Sequence, residues 1–594
     1  MKDYDNIYQL YTALKSEREQ AKPLWDEIAK YVGISVDVDY QWHKNQSSKS
    51  AQLDLRVDDP SPALAVNQFG DYLLGIMWGT GDKALSLVPS REVTDLVDAS
   101  VVQAWYDFAT EQLLRHMNHA DAGLNNALRP YAYDQAAFGT SGIGVFINDD
   151  FKNNVAENAL IFRNYGVDNM CIDEGKSGAV DYVFVTYHWK TNRIVGEFCT
   201  KNGVIDKGLV GTLPKVIQDA WGKGDYNQSF PLVFGMLPRT DFDPKLKGKR
   251  GTKFRGVWFM DGEGKIFKEE DYKEKPIAVC RQIKVRGEVY GRSSGTMMIS
   301  SIRMVNYIVG DTVEILEKMA RPALGVLNNA VFGDSVLDTS SNGLTVFNQQ
   351  LASGQNPVFP LMDVGDPSAL IQYLIPYLNE KIATAFKIDT LLDFSTAKEM
   401  TATESLQRYA IRGKSLAGML QQQKSELWAH TTRRATSMLL DLGELGINAR
   451  MFPDIARNLS ARGMGARIIP DEVLQIMEFG KPWYEVRFNN EMEKLTRTES
   501  VQNLTQVLQA IGAIGSMYPQ IIEAVDWYKL LEDINDNLDA NNQILIGAKA
   551  FKEKLMAAAQ QQQAMLAAQA GMMAADAGSK AAQANKNNAE AARV

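Results

Sequence analysis

Gly287-Glu288-Val289-Tyr290-Gly291-Arg292-Ser293 marks the place where this chain changes character. Directly after it, Ile302, Val305, Val309, Val313 and Leu316 recur at helical spacing. Arg303, Asp311, Glu314, Glu317 and Lys318 fall mostly off that apolar line. The spacing predicts one long amphipathic helix that stops near Arg321-Pro322, because proline removes a backbone donor. The stretch 323–365 is rich in Gly, Asn, Ser and Val and reads as short strands and loops. Asp366-Pro367 then opens a second helix, to about Lys387, with a kink expected at Pro376. After a loop from Asp389 to Met400, Thr401-Ala402-Thr403-Glu404 has the form of a capping box, followed by a helical pattern to about Leu442. Forty-odd residues at ~1.5 Å each span roughly 60 Å, a strut rather than an ordinary globular helix.

Upstream the pattern is mixed. A charged helix is expected from about Asn6 to Val32, then a polar loop from Asp37 to Asp59. Ser61-Pro62 reads as an N-cap and first-turn proline, and Val66, Phe69, Leu73 and Met77 follow at helical spacing up to Trp78-Gly79. Val102, Trp105, Ala109 and Leu113 mark a third helix; a fourth, about Asp121 to Phe138, ends at Gly139. Gly142 to Ile147 reads as a strand, and Ala159 to Cys280 as mostly β. In that region Val183–Tyr187 and Val257–Met260 are strand-like, Asp261-Gly262-Glu263-Gly264 is a hairpin turn, and a helix lies near Pro214 to Trp221. Residues 447–550 mix short helices with one strand, Tyr484–Phe488. From Met556 the chain is dominated by Ala, Gln, Met and Asn, which suits a helix stabilised only by neighbours. The fold class is α+β, mostly helical.

Composition narrows the function. The chain has 594 residues, 45% hydrophobic and 23% charged, with net charge −9. A protein gripping nucleic acid over a broad surface is basic; this one is acidic, so any contact with DNA must be local or slippery. Cys171, Cys199 and Cys280 form no CxxC, which argues against a disulfide framework or zinc site. The start, Met1 to Asp5, has no apolar core behind it, so no signal peptide is expected. Val507 to Val525 is too interrupted by polar residues for a membrane span.

Few residues invite a catalytic reading. His116 and His119 have a spacing compatible with metal ligation, but no carboxylate or Cys cluster stands near in sequence, so structural roles are favoured. Asp241 and Asp243 mimic a DxD within a Lys/Arg-rich loop and read as solvated. Gly287–Ser293 lacks the Gly-Lys-Ser/Thr ending of a phosphate-binding loop. Nucleophile-elbow, HExxH and EF-hand patterns are absent. No catalytic residue, cofactor or metal ligand is expected.

Gly287–Ser293 with its long helix, and Thr396-Ala397-Lys398-Glu399-Met400-Thr401-Ala402-Thr403-Glu404 before the longer one, resemble the portal (head-to-tail connector) proteins of short-tailed, podovirus-type bacteriophages. Asn67 to Trp78 with Leu85-Ser86-Leu87, the helix-to-strand step at Phe138 to Ile147, and the Ala/Gln/Met tail are similar too; Asn489 to Lys494 departs from the pattern. The resemblance implies a portal fold assembled as a twelve-subunit ring. It implies a wing at 1–293, stem helices at 294–321 and 366–388, and a clip between them at 322–365. A tunnel loop at 389–400, a long wing helix at 401–446, a crown at 447–550 and a C-terminal tail at 551–594 follow, the tail a barrel helix or disordered. The implied role is a conduit at one capsid vertex through which double-stranded DNA is packaged and ejected. Implied partners are a terminase motor, tail adaptor proteins, and capsid and scaffolding proteins, with no membrane. Such a protein resides in the virion and assembles in the host cytoplasm. Alternatives are another oligomeric virion scaffold (a tail or internal core protein) and, behind it, a DNA-packaging nuclease.

Charge fits a conduit. Twelve copies at −9 each give −108 for a ring, a field that centres the duplex without gripping it, within a screening length of about 8–10 Å. Given the resemblance, Lys398, Arg408, Arg412 and Lys414 are candidates for a DNA-contacting tunnel constriction. Without it, those residues read as a solvated helix face.

Overall fold

The computed structural model describes residues 2–32, 58–78, 84–97, 99–152, 156–201, 204–243, 246, 248–320, 324–326, 358–360, 366–388 and 418–488, with parts of 572–587. The chain opens with α1 (Lys2–Val32), α2 (Ser61–Met77), β1 (Leu85–Pro89), α3 (Arg91–Thr94), α4 (Ala99–Asn118) and α5 (Leu124–Ala137). Next come β2 (Thr140–Ile147), α6 (Asp149–Lys152), β3 (Leu160–Tyr165), β4 (Met170–Glu174), β5 (Val180–Lys190) and α7 (Thr191–Cys199). After them run β6 (Thr200–Lys201), β7 (Val204–Ile205), α8 (Lys207–Val210), α9 (Lys215–Gly222), β8 (Ser229–Pro238), β9 (Phe254–Met260), β10 (Ile266–Tyr272) and β11 (Ile277–Arg281). The second half carries α10 (Ser294–Ala320), β12 (Leu324–Val326), β13 (Val358–Pro360), α11 (Ile375–Ala385), α12 (Ala429–Leu442), α13 (Pro453–Ala461), α14 (Asp471–Glu478) and β14 (Tyr484–Phe488).

Five antiparallel strands form the largest sheet, in the order β10-β9-β8-β5-β4. Strand residues alternate between its faces. Phe184, Val233, Val257 and Phe259 point to one face, where Tyr4, Ile7, Tyr11 and Leu14 of α1 cover them. Val183, Val185, Leu232, Phe234 and Trp258 point to the other, against Ile194 and Val195 of α7 and Ile217 of α9. The sheet is thus buried on both sides, which explains its long apolar runs. A second sheet, β11-β2-β3, borders the main helical core around Val66, Phe69, Trp105, Tyr106 and Phe138.

Most expected elements form, with informative differences. The β9–β10 hairpin turns at Asp261–Gly264 as read. Ser61 is not the cap of α2: Asp59 Oδ1 accepts from the Ser61 amide at 3.1 Å and from its hydroxyl at 2.7 Å. The fourth helix begins at Leu124, because Gly123 takes a left-handed turn after the short turn Ala120–Ala122. Unexpected among the strands, α7 forms because Thr191, Ile194, Val195 and Cys199 are buried along one helical face. Instead of a simple kink at Pro376, a widened turn over Leu370–Leu374 precedes α11, with the Ile375 amide donating to Leu370 O. A second such turn, Lys424–Trp428, leads into α12, where the Ala429 amide donates to Lys424 O. The expected capping box Thr401–Glu404 lies outside the described residues.

Strand β14 pairs antiparallel with β1, from Leu85 opposite Phe488 to Pro89 opposite Tyr484. Residues 447–488 therefore lie on the first helical layer; Tyr106 donates to Trp483 O, and Trp105 Nε1 donates to Leu445 O at 2.9 Å.

Candidate functional site

Helix α10 leaves the body at the segment that opened the sequence reading. The Ser293 hydroxyl donates to Ala137 O at 2.6 Å and accepts from the Thr296 amide at 2.9 Å, while Thr296 Oγ1 accepts from the Ser293 amide at 2.8 Å. This reciprocal cap satisfies two donors at once. Gly139 has φ +79°, and a Cβ there would lie 2.4 Å from the Arg292 carbonyl carbon. A Cβ on Gly291 would lie 2.5 Å from Gly139 O. These glycines let the end of α5 and the start of α10 touch backbone to backbone. Tyr290 packs edge-on against Trp25 of α1 at 5.0 Å, and its hydroxyl accepts from the Ile172 amide at 3.4 Å.

α10 packs on α11, and the strand pair β12–β13 follows α10 in the chain and precedes α11. The predicted apolar line on α10 divides. Ile302 and Val305 are buried with Leu378 and Ile382, and Val309 is partly buried. Further along, Val313 and Leu316 are exposed, as are Met304, Tyr307 and Met319. On α11 and the turn before it, Ile371, Tyr373 and Tyr377 are also exposed, with Tyr307 and Tyr373 at 69% and 73%. Arg303 pairs with Glu27 of α1, and Lys318 with Glu314 at 2.6 Å.

The widened turn before α12 is held by Arg281, which is fully buried. Its guanidinium pairs with Glu426 and Glu174 and donates to Gly178 O at 2.8 Å; its amide donates to Glu426 Oε2 at 2.9 Å. Burial raises the Glu174 carboxyl pKa, but Lys284, 2.9 Å away, and Arg281 outweigh it and hold the group below its ordinary value. Beside this knot, Tyr131 donates to Gln423, Gln423 donates to Gln135 at 3.3 Å, and Gln135 donates to Cys280 O at 2.8 Å. Trp428 stacks on Trp78 at 4.9 Å. The strut is thereby locked to both the helical layer and the β11 sheet. Nothing in the sequence singled out Arg281 or Glu426; a charge within an otherwise apolar strand, Ile277–Arg281, was the available signal.

The residues singled out for chemistry are placed as follows. His116 Nδ1 accepts from the Ala159 amide at 3.4 Å, and its Nε2 lies 3.6 Å from Glu444; burial pushes its pKa down against that carboxylate. His119 Nδ1 accepts from the Asp121 amide at 3.3 Å and so caps a turn. Asp241 pairs with Arg250 at 3.4 Å, and the Asp243 amide donates to Arg250 O at 2.9 Å. No His/Cys/Asp/Glu cluster able to hold a metal occurs among the described residues, and no helix among them is long and apolar enough to cross a membrane. Lys398, Arg408, Arg412 and Lys414 lie outside the described residues.

A family model described as "Bacteriophage head to tail connecting protein" matches residues 4–451. The chain is 21% identical over 562 residues to a "Probable portal protein" of Bordetella phage BPP-1, covering 93% of this chain and 91% of that one. Among solved structures it is similar to a chain from a virion of a native gene transfer agent particle: 12% identity, TM-score 0.26, covering 71% of this chain and 89% of that one. A chain from the neck of an empty particle of that kind gives 13% identity and TM-score 0.28, covering 72% and 91%.

Proposed function

Because this chain belongs to the bacteriophage head to tail connecting protein family, we propose that it is the portal subunit of a virion. Copies close into a ring, twelve by family expectation, at one capsid vertex, and double-stranded DNA is packaged and ejected through the opening. The observation that carries this reading is the α10–α11 pair. Its inner apolar residues are buried within the subunit, while Tyr307, Val313, Leu316, Tyr373 and Tyr377 remain exposed. Large apolar side chains left open in this number along one helix pair fit a surface that neighbouring copies cover.

In this reading 1–293 is the wing, 294–321 and 366–388 are the stem, and 322–365 is a clip that docks a terminase motor and then tail adaptors. The loop 389–400 borders the channel, 401–446 is the long wing helix, 447–550 the crown and 551–594 the tail, with 447–488 joined to the wing through the β1–β14 pair. Lys398, Arg408, Arg412 and Lys414 form a weak, sequence-independent brake on DNA in an otherwise acidic ring. The role is structural rather than catalytic, and the protein resides in the virion after assembly in the host cytoplasm with capsid and scaffolding proteins.

Electron microscopy of the purified protein tests this. A ring with an open centre is expected, and the double variant Tyr307→Glu/Tyr373→Glu should yield folded subunits that no longer close. A solid particle, or one that assembles equally well with both substitutions, removes the support. Lys398→Ala with Arg408→Ala should impair retention of packaged DNA while leaving the ring intact.

A further inference from the structure

A cleft of about 1150 Å³ lies apart from the stem, between the inner face of the five-stranded sheet, α7, the β2–β3 strands and α12. Its walls hold donors without acceptors. Arg434 of α12 is 8% exposed, its guanidinium lies 4.9 Å from the Tyr272 ring, and its buried Nε has no hydrogen-bond partner. It forms no ion pair with any described residue, and burial, the largest influence on it, pushes its pKa down. Trp258 of β9 is 7% exposed and lines the same cleft, and its buried Nε1 is also unpartnered. The acids that line this part of the cleft are engaged elsewhere: Glu270 with Lys268 and the Tyr272 hydroxyl, Asp271 with Arg239, Asp441 with Lys273; Glu274, whose field also reaches Arg434, makes no ion pair with it. A buried guanidinium that makes no direct ion pair is costly, and such groups recur where a ligand supplies the missing partner.

We propose that this cleft binds a carboxylate carried on a polypeptide segment, with the carboxylate on Arg434 and the chain against the aromatic wall of Tyr187 and Trp258. A planar guanidinium presents paired donors that match a carboxylate. Exposed acids Glu197, Asp149 and Asp150 also line the cleft. Their field opposes a polyanion such as a nucleic-acid backbone and favours a single carboxylate among neutral or basic residues. The volume exceeds that of an ordinary small-metabolite site, which favours a chain over a free acid. The proposal stands independently of ring formation.

The test uses the full chain labelled with 5-fluorotryptophan, the Trp258 resonance being assigned with Trp258→Phe. N-acetyl-glutamate N-methylamide should shift that resonance saturably, and the glutamine analogue should bind at least about tenfold more weakly, as expected when a charged hydrogen-bond partner is lost. Arg434→Met should abolish the preference while leaving the thermal midpoint unchanged or raised, since an uncompensated buried charge has been removed. Arg434→Lys, which keeps the charge and loses the fork, should weaken binding without unfolding the chain. Equal binding of the two analogues, retained binding by Arg434→Met, or tighter binding of inorganic phosphate or glutarate would overturn the proposal. So would a marked drop in the melting point of Arg434→Met, which would make the guanidinium structural.

Discussion

Replacing Arg281 with Met tests whether the knot at the foot of the strut is an energetic link or a coincidence of packing. Arg281 is fully buried, and the Glu426 side chain is only 10% exposed. Removing the guanidinium leaves Glu426 desolvated and unpaired, whereas Glu174, more exposed, keeps Lys284 at 2.9 Å. Breaking a buried pair from one side costs about 3–5 kcal/mol. Amide exchange over 424–432 reads that cost locally, so Arg281→Met should accelerate it roughly a hundred- to several-thousandfold. Glu426→Gln preserves an acceptor for the Arg281 amide, and Arg281 retains Glu174, so about 1.5–3 kcal/mol is expected. Combining the two should cost clearly less than their sum, because no unpaired charge then remains buried. Acceleration below about tenfold in Arg281→Met, or strict additivity in the double variant, would refute the link.

Three further outcomes follow from other sites. Asp134 is half-buried beside Asn164 and Ser141, and desolvation, aided by Asp168, pushes its pKa up to about 7. The folded state therefore holds a proton that the unfolded chain releases near pH 4, so stability falls as pH rises from about 4 to about 7. Asp134→Asn should flatten that slope and stabilise the protein at pH 8 by up to about 4 kcal/mol, with little change at pH 4, in thermal melts across pH. Ser293→Ala removes the cap of α10 and should cost about 1 kcal/mol, seen as faster exchange in the first turn of that helix. Gly139→Ala places a Cβ against the Arg292 backbone at positive φ and should lower the melting point by the equivalent of roughly 2–5 kcal/mol, more than alanine at the exposed Gly75.

The parts of the fold legible in sequence are those whose cause is local. α10 was readable because its period is carried by neighbouring residues, and the β9–β10 hairpin because glycines sit at its turn. Cap chemistry was half readable: Gly139 was recognised as a helix end, but Pro60 rather than Ser61 stands at the N-cap of α2, with Asp59 accepting from the Ser61 amide, since that depends on how the preceding loop turns. α7 was missed because its β-branched and aromatic residues suit a strand; burial of Thr191, Ile194, Val195 and Cys199 along one face decides otherwise. His116 and His119 share a helical spacing, yet one serves a buried amide and the other caps a turn.

By itself the sequence determined the rods, the hairpin, the acidic balance and, through residues 287–293 and 396–404, the family to which the chain belongs. Only the tertiary structure decided that β14 seals against β1, that Arg281 ties two carboxylates from distant elements, and that the apolar line of α10 is buried at one end and open at the other. The reason is physical. Periodicity reports which side of an element avoids water, but the partner across that side is set by chain segments hundreds of residues away. A buried charge has no local signature until the groups that compensate it, or fail to, are brought alongside.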